Sequence, residues 1–274
     1  MMILLCLSFI AVFIIQVQAT EEKCDGVNIN GVMHIKEVLK TNLDSPYQFS
    51  IDYATNTLFF SSSIQTEDQR FQLGYLNLET KELNVVNDIK DGFASAVDHS
   101  SNTIYLGANG GIYQFNVKSK QTNQVYSIGQ NIWQMFYNNG LYYTTYPTEE
   151  AYFFANGNSQ KVPELKGTKV MLIALDGKQD IYFTNSSGLF KYIKSNKSVL
   201  NLGEYIINGL NSDVNGKLYF TSPNGIFKIN EDLNTVERLV TLDNVYAAAV
   251  EKDGSILCGT EDSIVRFKKS DKCT

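Results

Sequence analysis

Asp176-Gly177-Lys178-Gln179-Asp180-Ile181-Tyr182-Phe183-Thr184-Asn185-Ser186-Ser187-Gly188-Leu189-Phe190-Lys191-Tyr192 carries the pattern that decides the fold. A polar turn leads into the apolar triplet Ile181-Tyr182-Phe183. A second turn at Ser187-Gly188 leads into Leu189-Phe190-Lys191-Tyr192, where apolar and polar residues alternate. β-Branched and aromatic residues suit a pleated, half-buried strand, and Asn, Asp and Gly tolerate the backbone angles of tight turns. The unit reads as strand, turn, strand, turn, strand, loop, strand.

Outward from this stretch the pattern recurs. Matching triplets are Leu58-Phe59-Phe60, Ile104-Tyr105-Leu106, Leu141-Tyr142-Tyr143, Leu218-Tyr219-Phe220 and Ile256-Leu257-Cys258. With the first triplet they make six, and consecutive first residues lie 46, 37, 40, 37 and 38 positions apart. Turns such as Ala54-Thr55-Asn56, Asn138-Asn139-Gly140 and Asp253-Gly254 precede them, and Asn109-Gly110-Gly111 and Asn224-Gly225 follow. Units of about 40 residues match four-stranded propeller blades, which bury their faces against one another. No stretch carries a helical period long enough for an α/β fold. The expectation is an all-β, six-bladed β-propeller, with an insertion at Ile64 to Arg70 accounting for the longest spacing. The last unit is one strand short after Ile264-Val265-Arg266-Phe267, and Val32 to Leu39 resembles the fourth strand of other units. That N-terminal strand is predicted to complete the last blade and close the ring.

The chain has 274 residues, 43% of them hydrophobic and 19% charged, with a net charge of −6. That suffices for one domain with a large core. An acidic chain without a Lys/Arg cluster is repelled by phosphate backbones and anionic bilayers, which excludes nucleic acid and membrane surfaces as expected partners. Met2 to Val17 is apolar and uncharged and closes on Val17-Gln18-Ala19, so residues 1–19 read as a cleaved secretory signal and 20–274 as a single extracellular propeller domain. Cys6 leaves with the signal. With Cys24, Cys258 and Cys273 left and only His34 and His99 as imidazoles, a zinc site is excluded. Cys24 and Cys273 flank the predicted seam and are expected to form a disulfide, leaving Cys258 a buried free thiol. Asn185-Ser186-Ser187 and Asn196-Lys197-Ser198 are N-glycosylation acceptors in turns. No nucleophile elbow, P-loop, dinucleotide fingerprint or His-rich tract is present, so no catalytic residue is assigned. His99 is expected to be a solvated turn residue.

Asp44-Ser45-Pro46 and Asn208-Gly209-Leu210 stand where the gluconolactonase and senescence-marker family of six-bladed propellers has its E-x-P and N-G-L segments, and along most of its length the chain resembles that family. The resemblance implies a central cation held by a Glu, an Asn and an Asp. Here the three places fall on Asp44, Asn208 and Tyr246. Exchanging a carboxylate for a neutral phenol removes a hard, charged ligand, so the metal site is read as degraded and the lactonase chemistry as lost.

First strands line a propeller's channel, and near their starts the chain offers Tyr47, Phe49, Phe93, Trp133, Met171, Asn208 and Tyr246. Aromatic faces and a thioether suit a flat conjugated ligand that Asn208 and the phenols would orient. The segment Glu21 to Asn28, the leader, the repeats and the length also resemble the pigment carriers of insect haemolymph. That resemblance implies a monomeric carrier, without a cofactor, for a small tryptophan-derived pigment: an ommochrome such as an ommatin D-like phenoxazinone. The other readings are a secreted metal-dependent lactonase-like hydrolase and a protein-interaction propeller.

Overall fold

The computed structural model describes residues 25–64, 66–67 and 70–270. The secretory segment and the Cys24 and Cys273 pair lie outside the described residues. Inside them the chain is an all-β propeller; a 3-10 turn at Pro163–Leu165 is the one helical element. No helix among the described residues is long and apolar enough to cross a membrane.

Turn chemistry sets the repeat. An Asp at or just past the end of an inner strand folds its carboxylate back onto the turn: Asp52 Oδ1 accepts the N–H of Ala54 at 3.0 Å, Asp98 that of Ser100 at 2.9 Å, Asp176 that of Lys178 at 2.9 Å and Asp213 that of Asn215 at 2.8 Å. The next strand then starts from a left-handed residue, Asn56 at φ 51° and Asn102 at φ 53°, a conformation that Asn adopts readily. Each apolar triplet follows as the second strand, and alternation buries both its faces. In the first unit Phe59 packs with Val97, Ile104 and Leu106, while Leu58 and Phe60 pack with Ala247, Ala249 and Leu257 from the far end of the chain. Full burial of side chains of this kind contributes roughly 1.5–3 kcal/mol each.

Five hydrogen-bonded sheets form the ring, which corrects the six predicted. Three are four-stranded, the closing sheet has five strands, and the remaining sheet has six. The six-stranded sheet unites the second and third sequence units. Strand Ala94–Asp98 pairs with the first half of Thr103–Asn116, whose second half pairs with the start of Gln121–Tyr137. The end of Gln121–Tyr137 then pairs with Leu141–Tyr146. The turn expected at Asn109-Gly110-Gly111 is instead a register shift within a continuous strand, with Gly110 and Gly111 at φ 114° and 154°. A Cβ on Gly111 would stand 2.0 Å from the Tyr126 carbonyl oxygen, so glycine absorbs the bend without breaking the pairing.

Ring closure follows the predicted route. Val32–Thr41 pairs with Ser263–Lys269, and Gly26–Ile29 adds outside it through a hairpin at Asn30-Gly31, a fifth strand that the repeat did not foreshadow. Between sheets, Gln134 is a buried clamp: its Oε1 accepts the Ile173 N–H and its Nε2 donates to the Ile173 carbonyl, both at 3.0 Å. Six inner strand segments thus surround one axis although the sheets number five, because the six-stranded sheet supplies two.

Candidate functional site

The six inner segments begin at one end of the channel, and there the rings expected from sequence converge. Tyr47 opens its strand, Trp133 lies within Gln121–Tyr137, and Phe93, Met171, Asn208 and Tyr246 each precede an inner strand by one residue. Phe93 and Trp133 stack with centroids 4.5 Å apart and planes 24° apart. Tyr47 lies 5.8 Å from Phe93 and meets Tyr246 edge-on at 5.1 Å. Tyr47, Phe93, Trp133, Met171 and Asn208 line one cavity of about 290 Å³. Tyr246 touches it through Tyr47.

Phe49 is not part of this cavity. Alternation would give it the same face as Tyr47, but the pairing register shifts between Tyr47 and Ser50, and Gln48 takes φ 54°. The kink turns Phe49 into the core, where it is 5% exposed and packs with Leu39, Ile51 and Leu58. Gln48 borders the channel instead. Sequence reasoning also missed Phe71, 4.6 Å from Phe93, and Tyr146, 5.2 Å from Trp133. Phe71 adjoins the Ile64–Arg70 insertion, which the spacing had located; Tyr146 ends the strand Leu141–Tyr146 and left no signal.

Polar groups at the cavity are few. Asn208 donates from Nδ2 to the Val245 carbonyl at 2.7 Å, and among the described residues its Oδ1 accepts no hydrogen bond. Burial pushes the Tyr47 phenol above its ordinary value, against a Ser45 hydrogen bond that lowers it, so at neutral pH it is a donor. Asp44 is exposed, with Oδ1 taken by the Ser45 hydroxyl at 3.0 Å. Among the described residues no three His, Cys, Asp or Glu side chains group around a possible metal position. Asn185 closes the strand Ile181–Asn185 and Asn196 sits in an exposed turn; each uses its Oδ1 on the second residue after it, Ser187 and Ser198.

The opposite end of the channel is tied shut. Its cavity measures about 60 Å³, Ser50 and Ser95 share a hydrogen bond of 2.6 Å, and Asn211 Nδ2 donates to the Phe49 carbonyl at 2.7 Å. That is room for water, well below a usual ligand site of about 300–1,000 Å³. His99 stands at this end in an exposed turn, its ring 4.9 Å from that of Tyr53, and partial burial lowers its pKa.

A β-propeller whose channel opens at one end into an aromatic-walled cavity is the class that fold and site define. The chain belongs to the ommochrome-binding protein family: it is 37% identical over 276 residues to the ommochrome-binding protein of Manduca sexta, covering 98% of this chain and 99% of that one. No family model matches it. Among solved structures, a gluconolactonase from Xanthomonas campestris superposes with a TM-score of 0.67 at 11% identity, covering 90% of this chain and 96% of that one. A luciferin-regenerating enzyme superposes with a TM-score of 0.60 at 12% identity, covering 87% and 96%. At such identities the likeness is one of fold, which agrees with the resemblance read from Asp44-Ser45-Pro46 and Asn208-Gly209-Leu210.

Proposed function

We propose that this chain is a secreted, non-enzymatic carrier of an ommochrome pigment, held flat against the rings at the open end of the channel. The observation that carries the reading is the stacked Phe93 and Trp133 pair, extended by Tyr47 and Tyr146, in a chain closely related over its length to a protein named for ommochrome binding. A planar conjugated molecule gains both apolar burial and ring contacts in such a cleft, and Asn208 Oδ1 and the Tyr47 hydroxyl supply an acceptor and a donor to orient it. A Cys24 to Cys273 disulfide and glycans on Asn185 and Asn196 belong to the same extracellular reading.

Titration of the purified chain with ommatin D tests it. A saturable shift in the visible spectrum of the pigment, with one site per chain, is expected. Absence of binding would overturn the carrier reading, and tight calcium binding accompanied by lactone opening would replace it with the hydrolase.

A further inference from the structure

Beside the aromatic cavity lies a second one of about 500 Å³, which shares Phe71, Phe93 and Trp133 with it and adds Tyr146, Arg70, Asp91, Asn109 and Asn131. Its polar groups come from three separate places in the chain. Arg70 ends the insertion. Asp91 lies in the loop before the strand Ala94–Asp98, and Asn109 and Asn131 face each other in register on adjacent strands, with Tyr146 next in line. Asp91 is anchored, its Oδ1 accepting the backbone N–H of Arg70 at 2.6 Å and that of Phe71 at 3.3 Å. Arg70, the last residue of the insertion, is thereby pinned at the cavity edge.

Arg70, Asn109 and Asn131 are solvent-exposed, so their side chains can exchange water for a ligand. Among the described residues the Arg70 guanidinium enters no ion pair, not even with Asp91, and neither the Asn109 nor the Asn131 carboxamide makes a hydrogen bond. A cation, an anion and two carboxamides, kept apart from one another next to a stacked ring pair, complement a molecule with an aromatic body and a zwitterionic end. Opposite charges that cancelled each other across the cavity edge would not.

We propose that this second cavity binds the α-amino acid end of an aromatic ligand, with Arg70 on the carboxylate, Asp91 on the ammonium group, and Asn109 and Asn131 on the remaining donor and acceptor positions. The proposal rests on the carrier reading and deepens it by assigning named residues to the polar end of the ligand. It also gives the insertion a role, since its last residue, Arg70, lines this cavity and leads into Phe71.

Trp133 is the chain's one tryptophan, so its fluorescence reports on this wall directly. The probes are L-kynurenine, which absorbs where indole emits, its decarboxylated amine and its deaminated acid. L-Kynurenine is expected to quench Trp133 with an affinity about tenfold above that of either truncated probe, as charged hydrogen bonds warrant. Arg70→Gln should bring L-kynurenine down to the level of the amine, and Asp91→Asn down to that of the acid. Asn at 91 keeps an oxygen for the two backbone N–H groups, and thermal melts verify that both variants fold. Equal affinities for the three probes, or variants that weaken all three alike, overturn the site. Ommatin D titrated into the same samples separates the two readings: pigment binding without probe discrimination overturns the amino acid site alone. Probe discrimination without pigment binding overturns the ommochrome carrier instead.

Discussion

Arg266 and Glu37, 229 positions apart, are joined across the closing seam, with Nη1 donating to Oε2 at 3.1 Å. The same guanidinium grips Glu251 through Nε at 2.6 Å and Nη2 at 2.9 Å and donates from Nη2 to the Leu78 carbonyl at 2.8 Å. One side chain thus ties the N-terminal strand, the last sheet and the neighbouring sheet together. Arg266→Leu should cost about 2–3 kcal/mol, because Glu251 is then left partly buried without a partner. Glu37→Gln should cost less than about 1 kcal/mol, since that carboxylate is more exposed and also pairs with Lys81. Urea midpoints of the two variants test this ranking, and equal losses would contradict it.

Trp133→Ala should weaken ommatin D binding about tenfold while the fold survives, and Trp133→Phe should retain most of the affinity, because a ring still stacks on Phe93. Tyr246→Asp removes the edge contact with Tyr47 and sets a carboxylate near Asn208; it should weaken an acidic pigment by a similar factor. Absorbance titrations read all three. Parent-like affinity throughout would move the pigment away from the channel.

Phe49→Leu separates the core from the cavity. It should lower stability by about 1 kcal/mol, in line with an imperfect hydrophobic swap, and leave pigment affinity unchanged. A loss of affinity at constant stability would mean that Phe49 reaches the ligand after all.

Acid should loosen the turn at Asp98. Burial alone would raise this carboxyl, but hydrogen bonds from Ser100, Ser101 and Tyr137 outweigh it and bring the folded pKa to about 2, below the ordinary 3.8. The folded state therefore holds the ionised form more firmly than the unfolded chain does. The stabilisation is fully present above about pH 4 and is lost as the pH falls toward 2; it amounts to about 2 kcal/mol. Asp98→Asn should flatten that part of the stability profile, as measured by denaturant titrations between these limits.

Cys258 should resist iodoacetamide in the native protein and react once it is unfolded. Burial pushes its thiol up to about 12, and it is 0% exposed beside Val265 and Ile256. Native labelling at this position would show that the closing sheet opens. In the same digest, a peptide joining Cys24 to Cys273 is the expected product of the unreduced chain.

Much of this protein is local and therefore legible in its sequence. The Asp-capped turns, the left-handed Asn and Gly positions and the doubly buried triplets all act within a few residues, so they specify strands, a β-propeller and a closing N-terminal strand. They also place Tyr47, Phe93, Trp133, Met171 and Asn208 at equivalent points of successive units, and these residues do meet in one cavity. The hairpin at Asn30-Gly31 was equally local, and its turn dipeptide was the available signal.

Register and long-range approach were decided only in three dimensions. Whether Gly110 and Gly111 end a strand or merely bend it depends on what pairs with them, and continuous pairing merges two sequence units into one sheet. A single kink at Gln48 overrides alternation and sends Phe49 into the core. Arg70, Asp91, Asn109 and Asn131 share no periodicity, so their convergence beside Trp133 exists only once Arg70 is pinned to Asp91 and the sheets have closed around the channel. Turn chemistry and alternation are properties of neighbouring residues, whereas a binding site is a property of distances between residues that the chain itself keeps far apart.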